Sequence, residues 1–465
     1  MHPIAAALTG SKPAPYWTDV LARSAEVEPL TANDRADLVV VGGGFSGLWA
    51  AYQHLEDNPG AQVRVVEAER VAFGASGRNG GFCAASLTHG LFNGMSHWPD
   101  EISTLVRMGN ENLDAIEATV HAENIACGFE RTGEIDLALE PWQAEELEES
   151  VAHYQAHGET VSLLNRNGIR SLVHSPTYLA GLRRTSGIAL VDPARLAAGL
   201  ASAIGNRGGV IFEDSAVTGL ESSGHRVNVA VGAHHISADR VVVATNAYAG
   251  PVKRARRYVV PVYDHVIMTE PLTAEQRIAI GWQGREGLGD AANQFHYYRL
   301  TEDNRILFGG YDATYHFGNG LRPELDLRDD THAMLARHFF ATFPQLEGLQ
   351  FSHRWGGPIG TTSRFTAAWG TSMDDKVAWV AGYTGLGVGA SRFGARVALD
   401  LLDGSPTERT ELEMVRRSPL PFPPEPLRWA GIQITKKAIQ RSDRREGRRG
   451  AWLTLLDKFG VGFDS

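Results

Sequence analysis

Three glycines within six residues, Gly42, Gly44 and Gly47, fit the spacing G-x-G-x-x-G, and each has a separate physical job. Gly42 permits a tight turn, Gly44 lets a pyrophosphate approach the backbone, and Gly47 allows a helix to pack closely on a strand. The flanking residues supply the context that so short a pattern needs. DLVVV over residues 37–41 reads as a buried strand, Leu48, Ala51, Tyr52 and Leu55 recur at helical spacing, and VRVVE over 63–67 reads as a second strand. A helix that starts at this turn offers a phosphate unpaired N–H groups and a partial positive charge. Glu67 lies 20 residues after Gly47, at the end of the second strand, where its carboxylate accepts hydrogen bonds from ribose hydroxyls and repels a 2′-phosphate.

FAD and NAD share this signature, so the choice between them rests on further segments. GASGRNGG over 74–81 offers small residues, backbone donors and one cation, Arg78, able to wrap a long dinucleotide. VVATNAY over 242–248 resembles the strand that passes beside the pyrophosphate in many flavoproteins. GYTGLGVG over 382–389 opens a last long helix, whose N-terminal dipole would stabilise negative charge at flavin N1–C2=O. The lack of a second G-x-G-x-x-G disfavours a separate NADPH-binding domain, and with it a flavin hydroxylase that draws electrons from NADPH. FAD is therefore the expected cofactor. Its contacts are expected from Gly42, Gly44, Phe45, Ser46, Gly47, Glu67 and Ala68 in the first unit. Ala75, Ser76, Arg78, Asn79, Gly80 and Gly81 follow in the wrap, then Val217, Thr245 and Asn246, and finally Trp355, Gly385, Leu386, Gly387 and Val388.

Other constellations carry less. His153 and His157 have i,i+4 spacing without the glutamate of HExxH and read as a solvent-facing helix end, so no metal site is expected. Ser46 is no hydrolase elbow, because Leu48 takes the last glycine position of G-x-S-x-G. Cys83 and Cys127 lack CxxC spacing, which excludes a disulfide framework or thiolate zinc site and fits a reducing cytoplasm. Lys436, Lys437, Arg441, Arg444, Arg445, Arg448 and Arg449 read as a solvated face or an intramolecular clamp.

These segments must be positioned by a chain of 465 residues, long enough for two or three folding units. Its net charge of −10 gives no general attraction to nucleic acid or anionic membrane, which leaves small molecules as the default partner. No signal peptide or run of ~18 apolar residues is apparent, so a cytoplasmic protein without a membrane span is expected. Strand, turn and helix units recur at 37–67, 191–250 and 377–402. The fold class is therefore α/β (α+β overall), in two discontinuous domains. The expected division is an N-terminal extension at 1–36, with Tyr16, Trp17, Val20 and Leu21 docking on the body. An FAD-binding domain comprises 37–90, 191–255 and 353–412, a substrate domain 91–190 and 256–352, and a C-terminal extension 413–465.

Taken together, residues 40–47, Glu67, 74–81, 245–248, HRWGG over 353–357 and 382–389 resemble the D-amino-acid-oxidase superfamily of FAD-dependent oxidoreductases. Within it the chain is most similar to the gamma-glutamylputrescine and aminophosphonate oxidoreductase groups, through MTEPL at 268–272, YYRLT at 297–301 and ILFGG at 306–310. The resemblance implies a Rossmann-like FAD-binding domain plus a second domain whose antiparallel sheet roofs the isoalloxazine ring. It implies oxidation of a small amine: hydride passes from the α-carbon to flavin N5, leaving an imine that hydrolyses, and oxygen or an electron carrier reoxidises the flavin. A D-amino-acid or N-methyl-amino-acid (sarcosine- or glycine-type) oxidase or dehydrogenase is the alternative. In sarcosine-oxidase-like members a histidine and a carboxylate-binding lysine stand where this chain has Leu386 and Gly389, and a C-terminal-half cysteine anchors the FAD. This chain has no cysteine after Cys127, so non-covalent FAD is expected. Candidate substrate-lining residues are His265, Tyr298, Arg299, Trp355 and Leu386. A homo-oligomer is compatible with these features.

Overall fold

The computed structural model of the chain describes residues 3–22, 27–248 and 250–461; the outermost residues of both extensions lie outside that range. Its first sheet is organised by the strand Asp34–Val41, whose Leu38, Val39 and Val40 are fully buried because both faces of the strand are covered. Val63–Val66 and His234–Val243 flank it in parallel, pairing Val40 with Val65 and with Val242. Val210–Phe212 and Val377–Ala381 extend the sheet in parallel on either side, and Ala368–Ser372 closes one edge antiparallel. The alternating runs after residue 216 form the meander Val217–Ser223 and Arg226–Val231, which returns to the buried strand at 234.

Three helices cover this sheet and share one core. Phe45–Asp57 contributes Leu48, Trp49 and Leu55, Pro193–Asn206 contributes Leu196, Leu200 and Ile204, and Gly387–Asp403 contributes Val397 and Leu399. Asp192 caps the second of these by accepting the Arg195 N–H at 3.0 Å, with Pro193 at the first helical position. Helix Ile102–Ala122 buries Leu105, Met108, Leu113, Ile116 and Val120 in the same core, although its segment was expected in the substrate domain. Its apolar stripe shows that one face is buried but carries no information about which sheet receives it.

The second sheet has nine strands. Along its path Thr314–Tyr315, Val260–Thr269, Ile306–Gly310, His296–Leu300, Gly287–Asp290, Glu134–Ala138, Ala180–Arg184 and Val161–Asn165 are neighbours. All of these pairings are antiparallel except that of Gly287–Asp290 with Glu134–Ala138. Phe351–Thr361 pairs with Val260–Thr269 along its length, so residues 353–361, expected with the FAD-binding domain, belong to this sheet. In the N-terminal extension Tyr16 and Trp17 are buried against Val266, Met268 and Trp355, whereas Val20 is 48% exposed, because the short helix Tyr16–Asp19 ends before it. Among the described residues no helix is long and apolar enough to cross a membrane.

Candidate functional site

One cavity of about 1670 Å³ runs from the glycine turn of the first sheet to the face of the second, larger than the several hundred Å³ of ordinary small-molecule sites. At one end the turn leaves room for nothing but hydrogen at two positions. Gly42 has φ +111°, and a Cβ there would lie 2.8 Å from the Ala244 carbonyl oxygen. A Cβ on Gly47 would lie 1.9 Å from the Gly42 carbonyl oxygen, so Gly47 packs helix on turn and does not itself line the cavity. Helix Phe45–Asp57 starts at Gly44 without a side-chain cap, and the Phe45 N–H donates to Ser76 Oγ at 2.9 Å. Glu67 Oε2 accepts the Gly43 N–H at 2.6 Å and Oε1 the Glu69 N–H at 2.9 Å, while burial pushes the carboxyl above its ordinary value.

The remaining segments close around that end. Ala68, Ala75, Ser76, Asn79, Gly80, Val217 and Thr245 line the wall. Asn246, held at φ +48°, accepts the Gly382 N–H through Oδ1 at 2.8 Å and so ties the middle segment to the C-terminal turn. Gly385 has φ +95° with open space where a Cβ would point, and Leu386, Gly387 and Val388 bring the N-terminus of the helix Gly387–Asp403 to the cavity. Gly81 lies outside the lining; its φ of +79° and the Val191 carbonyl oxygen, 2.2 Å from where its Cβ would be, make it a packing glycine. Arg78 lines the cavity with its charge engaged: it pairs with Asp326 and donates to the Gly356 carbonyl at 2.9 Å. Trp355 touches the cavity and donates its indole N–H to the Arg78 carbonyl at 2.8 Å.

An uncapped helix start beside glycines that admit no side chain, a carboxylate at the second strand end and a second helix start across the cavity make a donor set that fits FAD. Gly80, Gly356 and Gly357 also line the cavity, with Tyr297, His265 and Arg78 packed where their side chains would stand. Both thiols, Cys83 and Cys127, are fully buried and outside the lining.

Three substrate-lining candidates lie elsewhere. His265 is sealed in the second sheet against His332, with its Nε2 3.3 Å from the Leu325 carbonyl, and burial pulls it down to about 4. Tyr298 is in the second core, its hydroxyl bonded to that of Tyr178 at 2.9 Å. Arg299 donates to the Val191 and Gly81 carbonyls and sits over Trp17. Side chains alternate along a strand, so in both strands the residue one position earlier faces the cavity: Asp264 before His265, and Tyr297 before Tyr298. The Tyr297 hydroxyl donates to Asp264 Oδ2 at 2.6 Å, and burial raises the Asp264 carboxyl to about 6. The signal that could have found Tyr297 is Gly309, its cross-strand partner, where a Cβ would lie 2.7 Å from the Tyr297 hydroxyl.

Sequence reasoning also passed over His89, whose imidazole lines the cavity, meets Phe365 edge-on at 5.3 Å and is lowered by burial to about 4. His153 is exposed at its helix end, as expected, and also borders the cavity, where it meets the Phe92 ring at 5.6 Å. The C-terminal extension supplies an outer wall through Phe422, Leu427, Ile432, Ile439, Trp452 and Leu456. It is bolted down by Lys436 to Asp312 at 2.5 Å, by Asp443 to Asn293 Nδ2 at 2.6 Å, and by Glu425 to the Tyr315 hydroxyl at 2.5 Å.

Comparison with known proteins agrees with this geometry. The family model described as FAD dependent oxidoreductase (DAO) matches residues 37–401. Gamma-glutamylputrescine oxidoreductase from Escherichia coli K12 is 32% identical over 394 residues, covering 84% of this chain and 88% of the relative. Among solved structures, glycine oxidase from Geobacillus kaustophilus superposes with a TM-score of 0.68 at 20% identity, over 81% of this chain and 96% of that one. Iminodiacetate oxidase from Chelativorans sp. BNC1 superposes with a TM-score of 0.67 at 18% identity, over 82% and 98%.

Proposed function

The chain belongs to the DAO family of FAD-dependent oxidoreductases, and we propose that it oxidises the C–N bond of a small primary or secondary amine, such as a polyamine conjugate or aminoalkyl compound. The product is an imine that water hydrolyses to an aldehyde. FAD, held without a covalent bond, supplies the hydride acceptor at flavin N5. The glycine turn and the start of helix Phe45–Asp57 hold its pyrophosphate, Glu67 its ribose, and the start of helix Gly387–Asp403 the pyrimidine edge of its ring. The chain's own contribution to the chemistry is to orient the amine's α-carbon, exclude water and keep the amine neutral.

The observation that carries an amine rather than an amino acid is the state of the cations around the cavity. Among the described residues, every Lys or Arg that lines it is already paired: Arg78 with Asp326, Arg184 with Glu134 and Asp136, Arg428 with Glu425, Lys436 with Asp312, and Arg449 with Asp457. A substrate carboxylate would have to break one of these pairs to be bound. Gly389 reinforces the point. A Cβ there would lie 2.0 Å from the Ala84 carbonyl oxygen, so this backbone cannot carry the carboxylate-binding lysine found in sarcosine-oxidase-like relatives. The test is product analysis with N-acetylputrescine, sarcosine and D-alanine. Aldehyde from the acylated diamine at roughly tenfold or more the rate of either amino acid is expected; the reverse order would refute the proposal.

A further inference from the structure

Burial of Asp264 and Tyr297 differs from that of their strand neighbours in a way that bears on proton transfer. Both side chains keep part of their surface open to the cavity, while His265 and Tyr298 beside them are sealed at 0% and 1% exposure. Tyr297 lies against Gly80 and Phe82 of the cofactor-wrapping segment: a Cβ on Gly80 would be 2.8 Å from its ring, and Phe82 meets it edge-on at 6.0 Å. Asp264 stands opposite Gly357 on the neighbouring strand, where the Arg78 stem takes the place a side chain would fill, and the half-buried Asp264 itself borders the cavity. A carboxylate thus borders the cavity from the second sheet, and the tyrosine that donates to it packs against residues 80–82.

An amine oxidation needs such a group. An alkylammonium has a pKa of about 10.4, so at pH 7 roughly one molecule in 2500 is neutral, and only the neutral form has the lone pair that becomes the C=N bond. From the placement of this carboxylate we infer that Asp264 is a catalytic residue that takes the proton of the bound substrate ammonium, with Tyr297 as the positioning residue that aims it. The inference rests on the amine reading above. In the step, an N–H bond of the ammonium breaks, its electron pair stays on nitrogen, and an O–H bond forms on the Asp264 carboxylate; nothing is oxidised or reduced.

The surroundings set the strength of this base. Burial raises the carboxyl to about 6; the Tyr297 hydroxyl, the backbone N–H groups of His265 and Gly310, and the charge of His296 when protonated pull it the other way. On the strand opposite, Gly356 and Gly357 bring no charge, and the nearby Arg78 is neutralised by Asp326. The carboxyl is therefore ionised at neutral pH. It is a weaker base than the amine, so the transfer is uphill by about four powers of ten and is drawn forward as the nitrogen lone pair is consumed in the C=N bond.

The experiment is the pH dependence of kcat/KM between pH 5 and 10 for FAD-loaded wild type, Asp264→Asn and Tyr297→Phe, using the amine that bleaches the flavin fastest in an anaerobic panel. In wild type it rises through about pH 6 and then stays level. In Asp264→Asn it falls on the order of 10²–10³-fold at pH 7 and recovers towards the substrate's own pKa, because only free neutral amine then reacts. Tyr297→Phe moves the acid limb to higher pH, since the carboxylate loses its donor. An Asp264→Asn profile parallel to wild type would overturn the inference. So would an unmoved limb in Tyr297→Phe, which decides the matter if the asparagine variant fails to bind FAD. A second readout needs no turnover. tert-Butylamine has no α-hydrogen, and calorimetry at pH 8 in buffers of different ionisation enthalpy counts the protons released when it binds. We expect none in wild type and one in Asp264→Asn; equal counts would overturn the inference. If no amine bleaches the wild-type flavin, the amine reading itself falls and this inference with it; bleaching together with parallel profiles removes the inference alone.

Discussion

Glu67 and Asp264 are both carboxylates raised by burial, and they are expected to answer mutation in opposite ways. Glu67 accepts the Gly43 and Glu69 N–H groups inside the turn, so Glu67→Gln loses both a turn contact and the charge proposed to hold a ribose. FAD affinity should fall about 10–100-fold, the worth of one hydrogen bond to a charged group, measured by fluorescence titration of the apoprotein; unchanged affinity would remove Glu67 from the cofactor site. Asp264 binds its proton more tightly folded, at about 6, than unfolded, at 3.8. The stability this contributes is present below about pH 4 and is lost as pH rises through about 6. Asp264→Asn should therefore gain thermal stability relative to wild type between pH 4.5 and pH 8, by an amount on the order of 2–3 kcal/mol; a constant difference in Tm across that range would contradict it. The glycine turn and the carboxylate beside it were legible in the sequence because glycine spacing and a strand-end carboxylate are local signals. The substrate face was not, because choosing Asp264 over His265, or Tyr297 over Tyr298, depends on which side of a strand meets the cavity.

At the scale of elements, the site is the meeting of two helix starts with one sheet face, and the first helix start has its least room for a side chain at Gly47, against the Gly42 carbonyl. With 1.9 Å between an added Cβ and that oxygen, Gly47→Ala must push the helix Phe45–Asp57 off its strand. The expected cost is at least about 1–3 kcal/mol, as for other overpacked positions, and with it most bound FAD, read from the flavin content of the purified variant. A Gly47→Ala protein with full flavin and unchanged Tm would show that the turn can relax. The strand–turn–helix units were readable from apolar periodicity and turn chemistry, as the capped helix Pro193–Asn206 illustrates. The pairing of Phe351–Thr361 with Val260–Thr269, and the docking of helix Ile102–Ala122 on helix Gly387–Asp403, were not. Strand register and helix partner are set by contacts between residues far apart in the chain, which a reading of local pattern does not contain.

In the molecule as a whole, one cavity joins the two sheets and the C-terminal extension covers its outer side, beyond residue 401 where the family match ends. Leu412, Met414 and Val415 are part of the first core, so the informative truncation falls later, after Pro419. The shortened chain should keep its flavin while the substrate chamber opens to water. Iodide should then quench flavin fluorescence more strongly, and KM should rise by about tenfold or more as apolar contacts to the substrate are lost. Unchanged quenching and KM would show that Phe422, Ile439 and Trp452 do not shield the chamber. Acid precipitation should release all the flavin into the supernatant, because both thiols are buried away from the cavity; flavin retained in the pellet would mean a covalent link to another side chain. The reading of the whole molecule as an amine-oxidising flavoenzyme is met most directly by anaerobic mixing of the FAD-loaded protein with N-acetylputrescine and other primary amines, and separately with sarcosine and D-alanine, while the visible flavin band is followed. Bleaching by amines and little or none by the amino acids is expected; a flavin bleached only by amino acids, or by none of these compounds, would contradict it.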